Sequence, residues 1–159
     1  MGYFATPSSV SAAPGRTAPL TQERLTAALD SQNWHYAVGD DDEIYGSWDG
    51  HTFYFLRLGS NQTVLLVRGR WEARLPLEMS QMLPVLNDWH KEYFFPKAFL
   101  VDFPDDGNGR VFTEVTIDCG HGITDDQLMT HIHAGIDMAL ALFKKLNETF
   151  PGLQQTDDE

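Results

Sequence analysis

Between Leu20 and Phe150 the apolar positions run in a helical rhythm, change to an extended one, and repeat that change before ending in a third helical stretch. Thr21 is a side chain suited to capping a helix, and Leu20 and Leu25 hold the two positions of a hydrophobic staple, which predicts a first helix from about Gln22 to Ser31. An acidic turn at Asp40, Asp41 and Asp42 follows. Three extended runs come next, Glu43 to Trp48, Thr52 to Leu58 and Val64 to Trp71, separated by Asp49-Gly50 and Gly59-Ser60-Asn61. These separators take positive φ or make local side-chain bonds, so the runs are expected to pair as antiparallel hairpins. Phe53 and Phe55 point to one face and Tyr54 and Leu56 to the other, so both faces need cover or one is offered to a partner.

A second helix is predicted between Leu77 and Tyr93, because Met79, Met82, Leu86, Trp89 and Tyr93 fall within an arc of about 80°. Ser80, Asn87, Asp88 and Lys91 take the opposite side. Pro84 lies within this span, so the helix should kink there or start only a turn earlier. After Pro96, strands from Lys97 to Phe103 and from Val111 to Asp118 are joined by Asp105-Asp106-Gly107-Asn108-Gly109, a hairpin turn. The last helix opens with the capping box Thr124 and Gln127, carries Asp125 and Asp126 in its first turn, and stops at Pro151-Gly152. Leu128, Ile132, Gly135, Ala139, Leu142, Leu146 and Phe150 form its stripe, and Met129, Ile136, Leu140 and Phe143 widen it to about 160°, more than one sheet surface needs. A second subunit is one way to cover the surplus.

The order α-β-β-β-α-β-β-α gives an α+β fold with an antiparallel sheet of about five strands and three helices. Residues 1–19 lack apolar periodicity and read as a flexible tail, 20–152 as a single domain, and 153–159 as an acidic solvated tail. A hydrophobic content of 42% supports a packed core, and no apolar run is long enough to span a bilayer about 30 Å thick. With no secretory pattern at the N-terminus, a cytoplasmic protein without membrane attachment is expected. The net charge of -12 argues against a phosphate backbone as partner, so no nucleic acid is expected. A single cysteine cannot form an internal disulfide.

Candidate chemistry is sparse. Asp118-Cys119-Gly120-His121 brings a thiol, an imidazole and a carboxylate together, but it also reads as a strand end and a turn into a capped helix. His131 and His133 project away from each other on a helix and cannot chelate one metal, and Asp40 to Glu43 lacks the spacing of a calcium loop. No nucleotide-binding loop or nucleophile elbow is present, so neither a catalytic set nor a metal or cofactor is expected. Against the acidic background stand Arg68, Arg70 and Arg74, with Trp71 and Trp89 nearby. Arg68 and Arg70 share a strand face, with Trp71 on the opposite one. Their guanidinium groups either bind a carboxylate or acidic peptide from outside or pair with the chain's own acids.

The combination of R-G-R-W at 68 to 71, L-P at 75 to 76, L-N-D-W at 86 to 89, P-K-A at 96 to 98, and E-V-T-I-D at 114 to 118 leading into H-G-I-T-D-D-Q-L resembles the YbjN-domain family of bacterial sensory transduction regulators, in particular its actinobacterial members. The likeness covers about Leu20 to Pro151. It implies the type III secretion chaperone-like fold, often dimeric, which in secretion chaperones binds an extended client segment without chemistry. The residues matching the family pattern, Arg68, Arg70, Trp71, Asn87, Trp89 and Lys97, are therefore candidates for fold maintenance or partner contact. The function this implies is a non-catalytic protein-binding or regulatory module, acting as a homodimer. Two alternatives are a sensor whose pocket, lined by Trp48, Trp71, Trp89 and arginines, takes an anionic metabolite, and a cysteine-dependent enzyme at Cys119 and His121.

Overall fold

The structure is a computed structural model that describes residues 15–76, 81–103 and 107–153. Most of the N-terminal tail, Met79 and Ser80, Asp105 and Asp106 of the expected turn, and the acidic C-terminal tail lie outside the described residues. Helix α1 covers Gln22–Ser31, and the Thr21 hydroxyl accepts a hydrogen bond from the Arg24 amide at 3.2 Å. Leu20 and Leu25 are both buried, as a staple requires. Five strands follow: β1 (Ala37–Val38), β2 (Ile44–Trp48), β3 (His51–Leu58), β4 (Val64–Arg70) and β5 (Leu75–Pro76). Then come α2 (Met82–Glu92), β6 (Lys97–Phe103), β7 (Asn108–Asp118) and α3 (Asp125–Thr149). A short 3-10 turn at Pro151–Leu153 ends the described chain.

The sheet is antiparallel and has seven strands in the order β1-β2-β3-β4-β7, with β5 continuing on the β4 side of β7 and β6 pairing its other side. The two strands beyond the expected five, β1 and β5, are two residues long, too short for period-two alternation to reveal them. Asp49 and Gly50 both take positive φ, 50° and 78°, which gives the β2-β3 hairpin its tight two-residue turn.

All three helices contribute to one core with Phe53, Phe55, Leu65, Val67 and Val111 on the inner face of the sheet. Burying each such side chain contributes about 1.5–3 kcal/mol. Gly135 lets α3 lie close: a Cβ there would stand 2.5 Å from Val67 Cγ1. The described part of α2 starts at Met82 with Gln81 as its N-cap, so Pro84 sits in its first turn, where a missing N–H costs no internal bond. Tyr93 leaves the helix in an extended conformation and is 42% exposed, although its ring stacks on that of Trp89 at 4.1 Å. The expected stripe thus ends at Trp89. The outer sheet face, bearing Tyr45, Tyr54, Leu66 and Arg68, lies outside the core.

Candidate functional site

Register places Tyr54, Arg68, Glu114 and Lys97 in one row across β3, β4, β7 and β6 on the outer face. Arg68 Nε donates to Glu114 Oε1 at 2.9 Å, its Nη2 donates to the same oxygen, and Lys97 Nζ donates to Oε2 at 2.8 Å. Burial works against the Glu114 carboxylate, but the hydrogen bonds and charges of Lys97 and Arg68 outweigh it and hold its carboxyl below the usual range. A second cluster forms around Glu72. Its Oε1 accepts from Arg70 Nε at 2.9 Å and from Thr52 Oγ1 at 2.6 Å, and its Oε2 lies 3.4 Å from Arg110 Nη1. Both arginines are therefore paired with the chain's own acids. Each carboxylate meets two cations, so each cluster keeps one net positive charge.

The other candidates separate. Trp71 is fully buried, and its indole N–H donates to Asn147 Oδ1 at 2.9 Å. Trp89 is also buried and its indole nitrogen has no hydrogen-bond partner, whereas Asn87 is exposed on α2. These two tryptophans maintain the core. Trp48 packs edge-on against Trp34, Phe53 and Phe55. The sheet stands between Trp71 and the paired arginines, so the expected anion pocket is not assembled from these residues. Arg74 is exposed in the segment between β4 and β5. Cys119 is 2% exposed, and burial raises its thiol above the ordinary cysteine value, while His121 lies on the surface. A buried, protonated thiol is a poor nucleophile. Among the described residues no group of three or more His, Cys, Asp or Glu is placed to hold a metal ion.

A different feature is built at the edge of β7. Strand β6 begins with Lys97 opposite Glu114, so on that side no strand pairs with β7 from Val115 to Asp118. Val111 O accepts from Trp71 N at 3.0 Å and Cys119 N donates to Thr63 O at 2.8 Å, which turns odd-numbered backbone groups toward β4. The period of two turns the N–H and C=O groups of Thr116 and Asp118 the other way, toward the open side. A groove of about 580 Å³ lies there, lined by Phe94, Phe95, Lys97, Glu114, Val115, Thr116, Ile117, Thr130, His131 and Ala134. Phe94 is fully exposed and Phe95 is 41% exposed. By contrast, the β6 amide of Ala98 is capped by His90 Nε2 at 2.9 Å. Of the residues predicted from sequence, only Lys97 borders this groove. Phe94 and Phe95 were adjacent to a motif residue, but the edge itself follows from β6 being shorter than β7, which only the register reveals.

An antiparallel sheet with three helices on one face, an ion-paired outer face and an open strand edge at Val115 to Asp118 defines an α+β module. The family model YbjN, described as "Putative bacterial sensory transduction regulator", matches residues 21–148, and the chain belongs to that family. The crystal structure of YbjN from E. coli, described as a putative transcription regulator, shares 14% identity at a TM-score of 0.71, covering 84% of this chain and 96% of that one. The type III secretion chaperone SycH from Yersinia pestis, solved with a stable fragment of YscM2, shares 13% identity at a TM-score of 0.45, covering 76% of this chain and 98% of that one. No curated protein sequence matches the chain. Among the described residues no helix is long and apolar enough to cross a membrane.

Proposed function

We propose that this chain is a non-catalytic, cytoplasmic protein-binding module that holds an extended segment of a partner protein against the open edge of β7. The observation that carries this reading is the groove in which unpaired strand backbone meets exposed Phe94 and Phe95. Strand addition supplies main-chain hydrogen bonds, and an apolar side chain of the partner fills the groove between β7 and α3. Lys97, on the rim, contributes charge to the mouth of the site, while Arg68 holds Glu114 in place beneath it. The homodimer implied by the family likeness belongs to the same proposal, with Leu83 and Asn87 on the exposed side of α2 as its contact.

The test is capture of a partner from cell extract by wild type beside Phe94→Asp and Thr116→Pro, followed by the same comparison with the purified partner. Proline is tolerated on an open strand edge, so Thr116→Pro removes one outward N–H without breaking a ladder bond. A protein bound by wild type and lost from both variants, with unfolding midpoints unchanged, supports the groove as the partner site. Equal binding by all three rejects it. For the homodimer, sedimentation equilibrium should give a dimer mass that Leu83→Glu reduces to a monomer, and a monomeric wild type removes that part.

A further inference from the structure

A segment that joins the open edge of β7 meets a fixed stop. On that side β6 already pairs with β7, from Lys97 opposite Glu114 to Phe103 opposite Asn108, and Pro96 before it is buried. An added strand lies in line with β6, so it can occupy only the places opposite Val115 to Asp118, a length of about 13 Å. Every pairing in this sheet is antiparallel. A segment that keeps this sense runs in the direction of β6, enters beside Asp118 and brings its carboxyl end to Pro96 and Lys97.

The charges at that end favour the same direction. Lys97, Arg68 and Glu114 together keep one net positive charge, and Lys97 is 66% exposed with one of its three N–H groups spent on Glu114. A terminal carboxylate is attracted to this cluster, whereas an amino terminus is repelled. The backbone fits a carboxylate as well. The N–H and C=O of Thr116 point to the open side, so a last residue opposite Thr116 donates its own N–H to Thr116 O, and one carboxylate oxygen accepts the Thr116 N–H. The other oxygen faces Lys97, two strand places on, about 7 Å along the sheet and within the sweep of a four-carbon stem. The residue before it lies opposite Ile117, so its side chain points to the α3 side, where Val115 and Ile117 are only half-buried beside Phe95 and Ala134.

We propose that the β7 edge selects the free C-terminus of a partner protein, with an apolar residue next to last, and that Lys97 and the Thr116 amide hold its carboxylate. This rests on the groove being the partner site just described. The test uses the full-length protein and two pools of random hexapeptides, alike except that one ends in carboxylates and the other in carboxamides. Wild type should retain the first pool and enrich apolar residues at the next-to-last position. The most enriched peptide, resynthesised in both forms, should bind about tenfold more weakly as the amide. Lys97→Gln leaves Glu114 its bond to Arg68 and should erase most of that difference.

Equal binding of acid and amide overturns the proposal. If that equal binding is lost in Phe94→Asp and Thr116→Pro, the edge still holds the segment and only the choice of a free terminus is wrong. Retention of neither pool also overturns it and leaves the edge to the capture experiment. A preference for the acid that Phe94→Asp and Thr116→Pro both keep places the carboxylate away from β7, and both this proposal and the edge reading then fall.

Discussion

At the scale of single residues, the outer face is governed by two acids that each meet two cations. Glu114 is only 10% exposed, so removing its charge strands the charge-assisted bonds of Arg68 and Lys97. Glu114→Gln should cost about 1–3 kcal/mol, measured as a shift in the urea midpoint at neutral pH. A charge reversal at Arg68 would set acid against acid, so it reports on folding before it reports on any partner. His51 adds a separate dependence on pH. It is buried, packs 4.7 Å from the Phe143 ring, and its Nδ1 accepts from the Glu72 amide at 3.3 Å. Burial, outweighing the nearby Glu72 and Asp49, lowers its pKa below the ordinary histidine value. As pH falls through about 6.5 the unfolded chain takes up a proton that the folded imidazole refuses, so stability declines from there. The depressed carboxyls of Glu114 and Glu72 act lower: their contribution is complete above about 4.3 and is lost as pH falls through their folded values. Urea midpoints at pH 7.5, 5.5 and 3.5 should therefore show two steps. His51→Asn, which keeps an acceptor for the Glu72 amide, should flatten the first step, and Glu114→Gln should shrink the second. A wild-type midpoint equal at pH 7.5 and 5.5 would exclude the histidine contribution.

At the scale of elements, α3 shows how closely helix and sheet are fitted. A methyl group at Gly135 would stand 2.5 Å from Val67 Cγ1 and 2.6 Å from Val67 Cβ, and the β4 backbone beneath cannot retreat. Gly135→Ala should destabilise by about 1–3 kcal/mol despite the better helix propensity of alanine, and Val67→Ala should recover part of that loss in the double variant. Additive losses in thermal or urea unfolding would place the strain elsewhere. Local signals made α1 and α3 legible: Thr21, the Leu20 and Leu25 staple, and the Thr124 and Gln127 box all act within one turn of the residues they cap. Hairpins were legible for the same reason, since Asp49-Gly50 states its turn in two residues. The end of α2 at Glu92 was not, because a stripe that includes Tyr93 carries no stop of its own. The fate of Arg68 also lay beyond the sequence, since Glu114 is 46 positions away and becomes its neighbour only through the β4-β7 register. Glu72, two residues from Arg70, was the acid closest to being read directly. The β7 edge required two lengths and a register together, and no single residue marks it.

At the scale of the whole molecule, two segments a hundred residues apart in sequence are tied by one buried side chain. Arg24 projects from α1 and is 6% exposed; it donates to Ala18 O at 2.7 Å, Pro19 O at 2.9 Å, Ile123 O at 2.8 Å and Asp125 Oδ1 at 2.6 Å. It thereby joins the segment before α1 to the turn that opens α3, beside the end of β7. Four acceptors in three directions suit the guanidinium fork and no other side chain. Arg24→Met preserves the apolar stem but takes the donor from Pro19 O, leaves Ala18 O and Ile123 O with only their mutual backbone bonds, and strips Asp125 of its cation, which should cost about 3 kcal/mol. Arg24→Lys should fall between, because an ammonium keeps the charge but reaches fewer of the acceptors. The loss should also have a place as well as a size: amides of Ala18 and Ile123, which bond each other, should exchange faster in Arg24→Met than global unfolding explains, while those of β3 and β4 follow the global value. If Arg24→Met unfolds at the wild-type midpoint, the clamp is dispensable, and the pairing of Ala18 with Ile123 is not fixed by Arg24.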